Sequence, residues 1–141
     1  TITIGKGRKI KDGKDLAILS IGHPGNFVTQ AIIALRKENI DPAHYDMRFV
    51  KPLDERLLHE ICKQYDKIIT VEDGTVVGGF GSAVLEFMAN HNYQIKILGI
   101  PDSIIEHGTL KELHAECKYD AQAIAEAVKV MLKETVKAPF V

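Results

Sequence analysis

The sequence predicts a three-layer α/β/α domain on a mostly parallel sheet of about five strands, with one N-terminal strand antiparallel. Three observations carry this. Short apolar runs with strand-like character alternate with segments of helical period, and the helix-length separations require crossover connections between parallel strands. The parallel strands are closed by turn residues, as at Gly22, Pro24 and Gly25. Finally, Asp12-Gly13 between two apolar segments is a hairpin signal that would fold an N-terminal strand, Ile2 to Ile10, back against the next one.

The elements follow in order. Leu16 to Ile21 is apolar on successive residues, which suits a strand buried on both faces. Phe27 to Glu38 aligns Val28, Ile32 and Leu35 on one helical face, with Ala31 beside them. Tyr45 to Val50 reads as the next parallel strand. Asp54 is a plausible N-cap for a helix to Tyr65, whose stripe is Leu57, Leu58, Ile61, Cys62 and Tyr65. Lys67 to Val71 is a strand, a glycine-rich loop leads into a helix over Ser82 to Asn90, and Gln94 to Gly99 is another strand. Thr109 with Glu112 fits a capping box, and Asp120 is expected to cap a separate final helix to about Glu134.

Composition excludes several classes. Eighteen Lys and Arg against nineteen Asp and Glu, without like-charge blocks, give no nucleic-acid or membrane-surface signature. No run approaches the length of a membrane span, and Thr1 to Lys14 has no signal-peptide core, so the expected location is cytoplasmic. Cys62 and Cys117 stand far apart and are read as reduced thiols. Length and composition suit a single domain over residues 1–141, and the start at Thr1 rather than at a methionine hints at a piece cut from something longer.

Two stretches are candidates for contact or ligand approach. In the first, Asp46 and Arg48 alternate with Met47 and Phe49, placing charges in an element that should be buried. Such charges need partners, either an internal ion pair or a carboxylate across an interdomain or subunit contact that the arginine fork would grip. The second runs from Glu72 and Asp73 through Gly78, Gly79, Phe80 and Gly81 to Ser82, joining a strand's carboxyl end to a helix start. Helix-start N–H groups attract anions, so a free-standing module holding a small anion or nucleotide over Gly78–Ser82 is one reading. Against it, the glycines stand too far from the strand for a dinucleotide fingerprint, Val84 takes the place of the third glycine, and two carboxylates guard the entrance. Glu72 is read rather as capping the following turn or pairing across an interface, because adjacent strand side chains point to opposite faces and make a poor acid/base pair. The six histidines have no metal-ligand spacing, and His107, beyond the last strand, is the one candidate among them.

Ile4-Gly5-Lys6-Gly7-Arg8, Asp46-x-Arg48-Phe49-Val50-Lys51-Pro52-Leu53-Asp54, Val71-Glu72-Asp73 with Gly78 to Val84, and Gly99-Ile100-Pro101-Asp102 with Ile105 to Gly108 together resemble the transketolase C-terminal domain, in the form carried by 1-deoxy-D-xylulose-5-phosphate synthases. Gly22 to Asn26 departs from the shorter turn more usual there. The resemblance implies an enzyme that condenses pyruvate with glyceraldehyde 3-phosphate, releases carbon dioxide and supplies isoprenoid, thiamine and pyridoxal synthesis. It further implies thiamine diphosphate and Mg²⁺ bound by upstream domains, none of it by this one, and a homodimer. No catalytic, cofactor-binding or metal residue carries over. Asp46, Arg48, Glu72, Asp73, Gly78, Gly79, Phe80, Gly81, Ser82 and His107 remain as contacts to the upstream domains of the same chain, to the homodimer partner, or to the approach to the active site.

Overall fold

The computed structural model describes residues 4–73, 79–89, 93–100 and 110–134, the side chains of 110–119 excepted. The described elements are β1 (Arg8–Lys11), β2 (Ala17–Ser20), α1 (Gly25–Arg36), β3 (Ala43–Asp46), α2 (Glu55–Gln64), β4 (Lys67–Asp73), α3 (Gly79–Phe87), β5 (Gln94–Ile100) and α4 (Leu110–Lys133). They form a five-stranded sheet in the order β1-β3-β2-β4-β5, in which only the β1–β3 pair is antiparallel.

Each face of the sheet has its own core. Leu16, Ile18, Ile69 and Val71 point toward α1 and α4, which contribute Phe27, Val28, Ala31, Ile32, Leu35, Ile124, Val128 and Met131. The intervening residues Ala17, Leu19 and Ile68, with Ala43, Tyr45 and Met47, point toward Leu58, Ile61 and Tyr65 of α2 and Phe80, Val84 and Met88 of α3. The strand period of two thus divides one continuous apolar run between two layers. Asp54 caps α2: its Oδ1 accepts from Leu57 N–H at 3.0 Å, while Oδ2 accepts from Gly7 N–H at 2.8 Å and ties down the approach to β1.

Three expectations are corrected. The Asp12-Gly13 turn does not form a β1–β2 hairpin; β1 runs antiparallel to β3, with Arg8 opposite Asp46 and Lys11 opposite His44. Both edges of β2 are taken by the parallel strands β3 and β4. β1, largely exposed and bearing Arg8, Lys9 and Lys11, is a charged edge strand of the kind that discourages further pairing. The second correction concerns the strand over Tyr45 to Val50. Pairing stops at Asp46, because Arg48 takes the left-handed conformation at φ 62° and leads the chain out of the sheet toward Pro52. Lastly, Asp120 caps no helix. It lies within the 24-residue α4, whose sequence from Leu110 to Lys133 holds no glycine or proline to interrupt it. Thr109 of the expected capping box lies outside the described residues.

Among the described residues, no helix is long and apolar enough to cross a membrane.

Candidate functional site

The parallel strands β2, β3, β4 and β5 all end at the same edge of the sheet, and the loops after them collect there the residues singled out in the sequence. The chain reverses its direction of travel across the sheet beside β2, so this is the edge where open α/β sheets usually bind their ligands.

Glu72 is the more constrained of the two carboxylates. It is 1% exposed and lies on the α2/α3 face, alternating with Val71 on the other. Its Oε2 accepts from Phe80 N–H at 3.0 Å and its Oε1 from Gly81 N–H at 3.2 Å. A buried strand carboxylate thereby takes the opening N–H groups of α3, the role that a local N-cap ordinarily fills. This also corrects the expected start of that helix. α3 begins at Gly79 rather than Ser82, so Gly79, Phe80 and Gly81 are helical, and Phe80 is a core residue. The glycine at 81 serves close approach, since a Cβ there would stand 2.6 Å from Ile97 Cγ2 and 3.0 Å from Glu72 Oε1. An external anion at these N–H groups would have to displace Glu72. Asp73 ends β4 half-buried, and Ser82 is exposed on α3. Gly78 and His107 lie outside the described residues.

The Asp46 group is built differently. Asp46 Oδ1 accepts from the Arg48 N–H at 3.1 Å, and Oδ2 stands 3.9 Å from Arg8 Nε and 4.0 Å from Arg48 Nε. The charges expected to need partners therefore meet each other and Arg8 within the chain. Because His44 and Asp46 alternate with Ala43 and Tyr45, they face the α1 side, opposite to Glu72. The two candidate clusters occupy opposite faces of the sheet and do not form one site.

A third polar group, marked by no motif or spacing, lies beside Asp46. Ser20 of β2 and His44 of β3 are 1% and 3% exposed, and Ser20 Oγ lies 2.8 Å from His44 Nε2. Burial pushes the His44 pKa down to about 4, with Asp46 acting weakly in the opposite sense. The fold thus holds this imidazole neutral, whereas an unfolded chain would protonate it near pH 6.5. The stability this contributes is complete above pH 6.5 and is lost as the pH falls toward 4, by about 2 kcal/mol at pH 5. Urea denaturation of the parent and of His44→Gln at pH 7 and pH 5 measures it: the variant is expected to lose about 2 kcal/mol less than the parent between the two. Equal losses would show that His44 titrates as it does in water.

Cys62 is a free thiol whose pKa is raised by partial burial, which disfavours the reactive thiolate. Among the described residues no three His, Cys, Asp or Glu side chains converge as metal ligands.

Comparison with known proteins agrees with this arrangement. The family profile described as "Transketolase, C-terminal domain" matches residues 5–124. A 1-deoxy-D-xylulose-5-phosphate synthase of Cytophaga hutchinsonii is 62% identical over 130 residues, covering 91% of this chain and 20% of the relative. The enzyme of the same name from Parabacteroides distasonis is 54% identical over 130 residues, covering 91% of this chain and 21% of its own length. Among solved structures, a chain titled "Split gene transketolase, inactive beta4 tetramer" superposes with a TM-score of 0.77 at 30% identity, covering 97% of this chain and 45% of that one. The chain spans about a fifth of the length of the curated relatives it matches. With the fold and the matched residues in agreement, the chain belongs to the transketolase C-terminal domain family.

Proposed function

We propose that this chain is the C-terminal domain of a 1-deoxy-D-xylulose-5-phosphate synthase, a cytoplasmic thiamine-diphosphate- and Mg²⁺-dependent transferase that condenses pyruvate and glyceraldehyde 3-phosphate with loss of carbon dioxide. The observation that carries this is 62% identity over 130 residues to a synthase of that name. The domain's part is positional. The cofactor, when bound in the upstream domains, supplies the carbanion chemistry, and this chain's residues brace those domains and the homodimer partner. The half-buried Asp46–Arg48 turn, Asp73, Gly78, Gly79, Ser82 and His107 are the contacts we assign to that role, while Glu72, Phe80 and Gly81, all buried, support it from within by fixing the start of α3. Arg48 suits it because its backbone is fixed by Asp46 while its guanidinium stays partly accessible.

A chimera tests the reading. The matching C-terminal segment of the Cytophaga hutchinsonii synthase is replaced by this chain, and product formation is followed with both substrates, thiamine diphosphate and Mg²⁺. The chimera is expected to retain activity within about tenfold of the parent, since a domain replaced at this identity keeps its core and most of its contacts. The isolated chain is expected to turn over nothing. A soluble, correctly assembled chimera without activity would overturn the assignment, and turnover by the isolated chain would overturn the division of labour.

A further inference from the structure

Strand direction fixes the edge at which the chain enters this fold. β1 runs antiparallel to β3, and Arg8, its first residue, stands opposite Asp46, the last residue of β3. β3 is parallel to β2, and β2 to β4, so the chain enters at the carboxyl edge of the parallel strands, beside the turn that carries Arg48. For a C-terminal domain, this is the edge to which the preceding domains are joined.

The entering segment is held more closely than a tether requires. Ile4, Lys6 and Arg8 are exposed, while Gly5 and Gly7 between them are half-buried against the loop after β3 and the first turn of α2. Gly5 takes φ 79°, and a Cβ there would stand 2.9 Å from Pro52 Cγ. A Cβ on Gly7 would stand 2.9 Å from Leu57 Cδ2, 3.0 Å from the Asp46 carbonyl oxygen and 3.1 Å from Met47 Cα. Glycine in a linker usually gives freedom of movement, whereas these two permit close packing.

Asp54 closes the contact. Capping α2 needs one side-chain oxygen, which serine or asparagine supplies as well as aspartate does. The carboxylate brings a second. Oδ1 accepts from Leu57 N–H at 3.0 Å, and Oδ2 accepts from Gly7 N–H, 47 residues earlier, at 2.8 Å. One side chain thus joins the entering segment to a helix whose Leu58 and Ile61 are fully buried in the core. Swinging the segment away would break a charge-assisted bond.

We propose that Asp54 is an interdomain clamp: by holding Gly7 against α2 it fixes the orientation of this domain on the domains that precede it, which seat at the carboxyl edge beside β1 and β3. This deepens the positional role proposed above and rests on it. Asp54 touches no reacting group; it is a positioning residue acting through the entering backbone.

Asp54→Asn and Asp54→Ser in the full-length protein that carries this chain test the clamp. Each keeps one acceptor for Leu57 N–H and lacks the second acceptor for Gly7. Hydrogen exchange is expected to quicken by about tenfold or more at Gly7 and to stay within about twofold of the parent over residues 57–61. Trypsin is expected to cleave after Lys6 faster by a similar factor. Small-angle X-ray scattering should show a larger radius of gyration and a broader distance distribution, which a merely local bond would not change. Unchanged exchange at Gly7 in both variants, equal loss of protection over residues 57–61, or unchanged scattering once Gly7 is released would each overturn the proposal. Synthase turnover is measured separately in the parent: its absence would overturn the assigned reaction, while the clamp is judged on exchange and scattering alone.

Discussion

Replacing Glu72 with alanine is expected to lower the stability of this chain by about 4 kcal/mol in urea denaturation. The side chain is 1% exposed and accepts from Phe80 and Gly81 N–H at 3.0 and 3.2 Å. Truncation leaves both buried donors unsatisfied, at a cost of roughly 1–3 kcal/mol each, and opens a void beside Phe80. Glu72→Gln separates the two contributions. Its single carbonyl oxygen accepts one of the two bonds while the amide group cannot accept the other, so a loss of about 2 kcal/mol is expected, with the denaturant slope unchanged. A Glu72→Ala chain within about 1 kcal/mol of the parent would mean that the start of α3 is held by something other than this carboxylate. The functional counterpart is that Glu72 stabilises the start of the helix that carries Gly79 to Ser82, so in the chimera the same change should weaken assembly through that element.

Much of the architecture is legible in the sequence because it depends on local periodicity. Leu16 to Ile21 could only be a central strand, since both of its faces are apolar, and the stripe from Leu58 to Tyr65 together with Asp54 marks α2 and its cap. The missed features share another cause: each is decided by residues far apart in the chain. The first turn of α3 forms at Gly79 because a carboxylate seven residues earlier, on a strand, reaches its N–H groups. No propensity around Gly78 to Gly81 signals that. The partner of β1 is set by which edge of the sheet remains open once β2 is flanked on both sides, and the Asp12-Gly13 pair says nothing about this. Ser20 and His44 are unremarkable in their own strands and meet only because β2 and β3 pair in a register that aligns Ser20 with Asp46. Resemblance to a family supplied the correct assignment, while the geometry divided its candidate residues between two faces of the sheet.

That same β1 crossing makes Gly13→Ala the other large expected effect, again about 4 kcal/mol in urea. Between β1 and β2 the chain must pass the entrance of β3, and it does so in contact with the backbone there: Lys14 N–H donates to the Asp41 carbonyl at 2.8 Å. A Cβ on Gly13 would overlap the backbone of Asp41, Pro42 and Ala43, which cannot swing aside as the tip of a flexible side chain would. To admit even one methyl group, β1 would have to lift from β3, or the bond from Tyr65 O–H to the Gly13 carbonyl, 2.9 Å long, would have to break. Gly13 does not stand in the left-handed region that a two-residue hairpin turn would demand of it. The choice of glycine here reflects close packing, and the substitution discriminates between the two readings. In a β1–β2 hairpin with an open turn, alanine would cost about 1 kcal/mol through backbone strain alone. At the crossing it must move backbone, so a measured loss near 1 kcal/mol would argue that β1 does not pass against β3 as described.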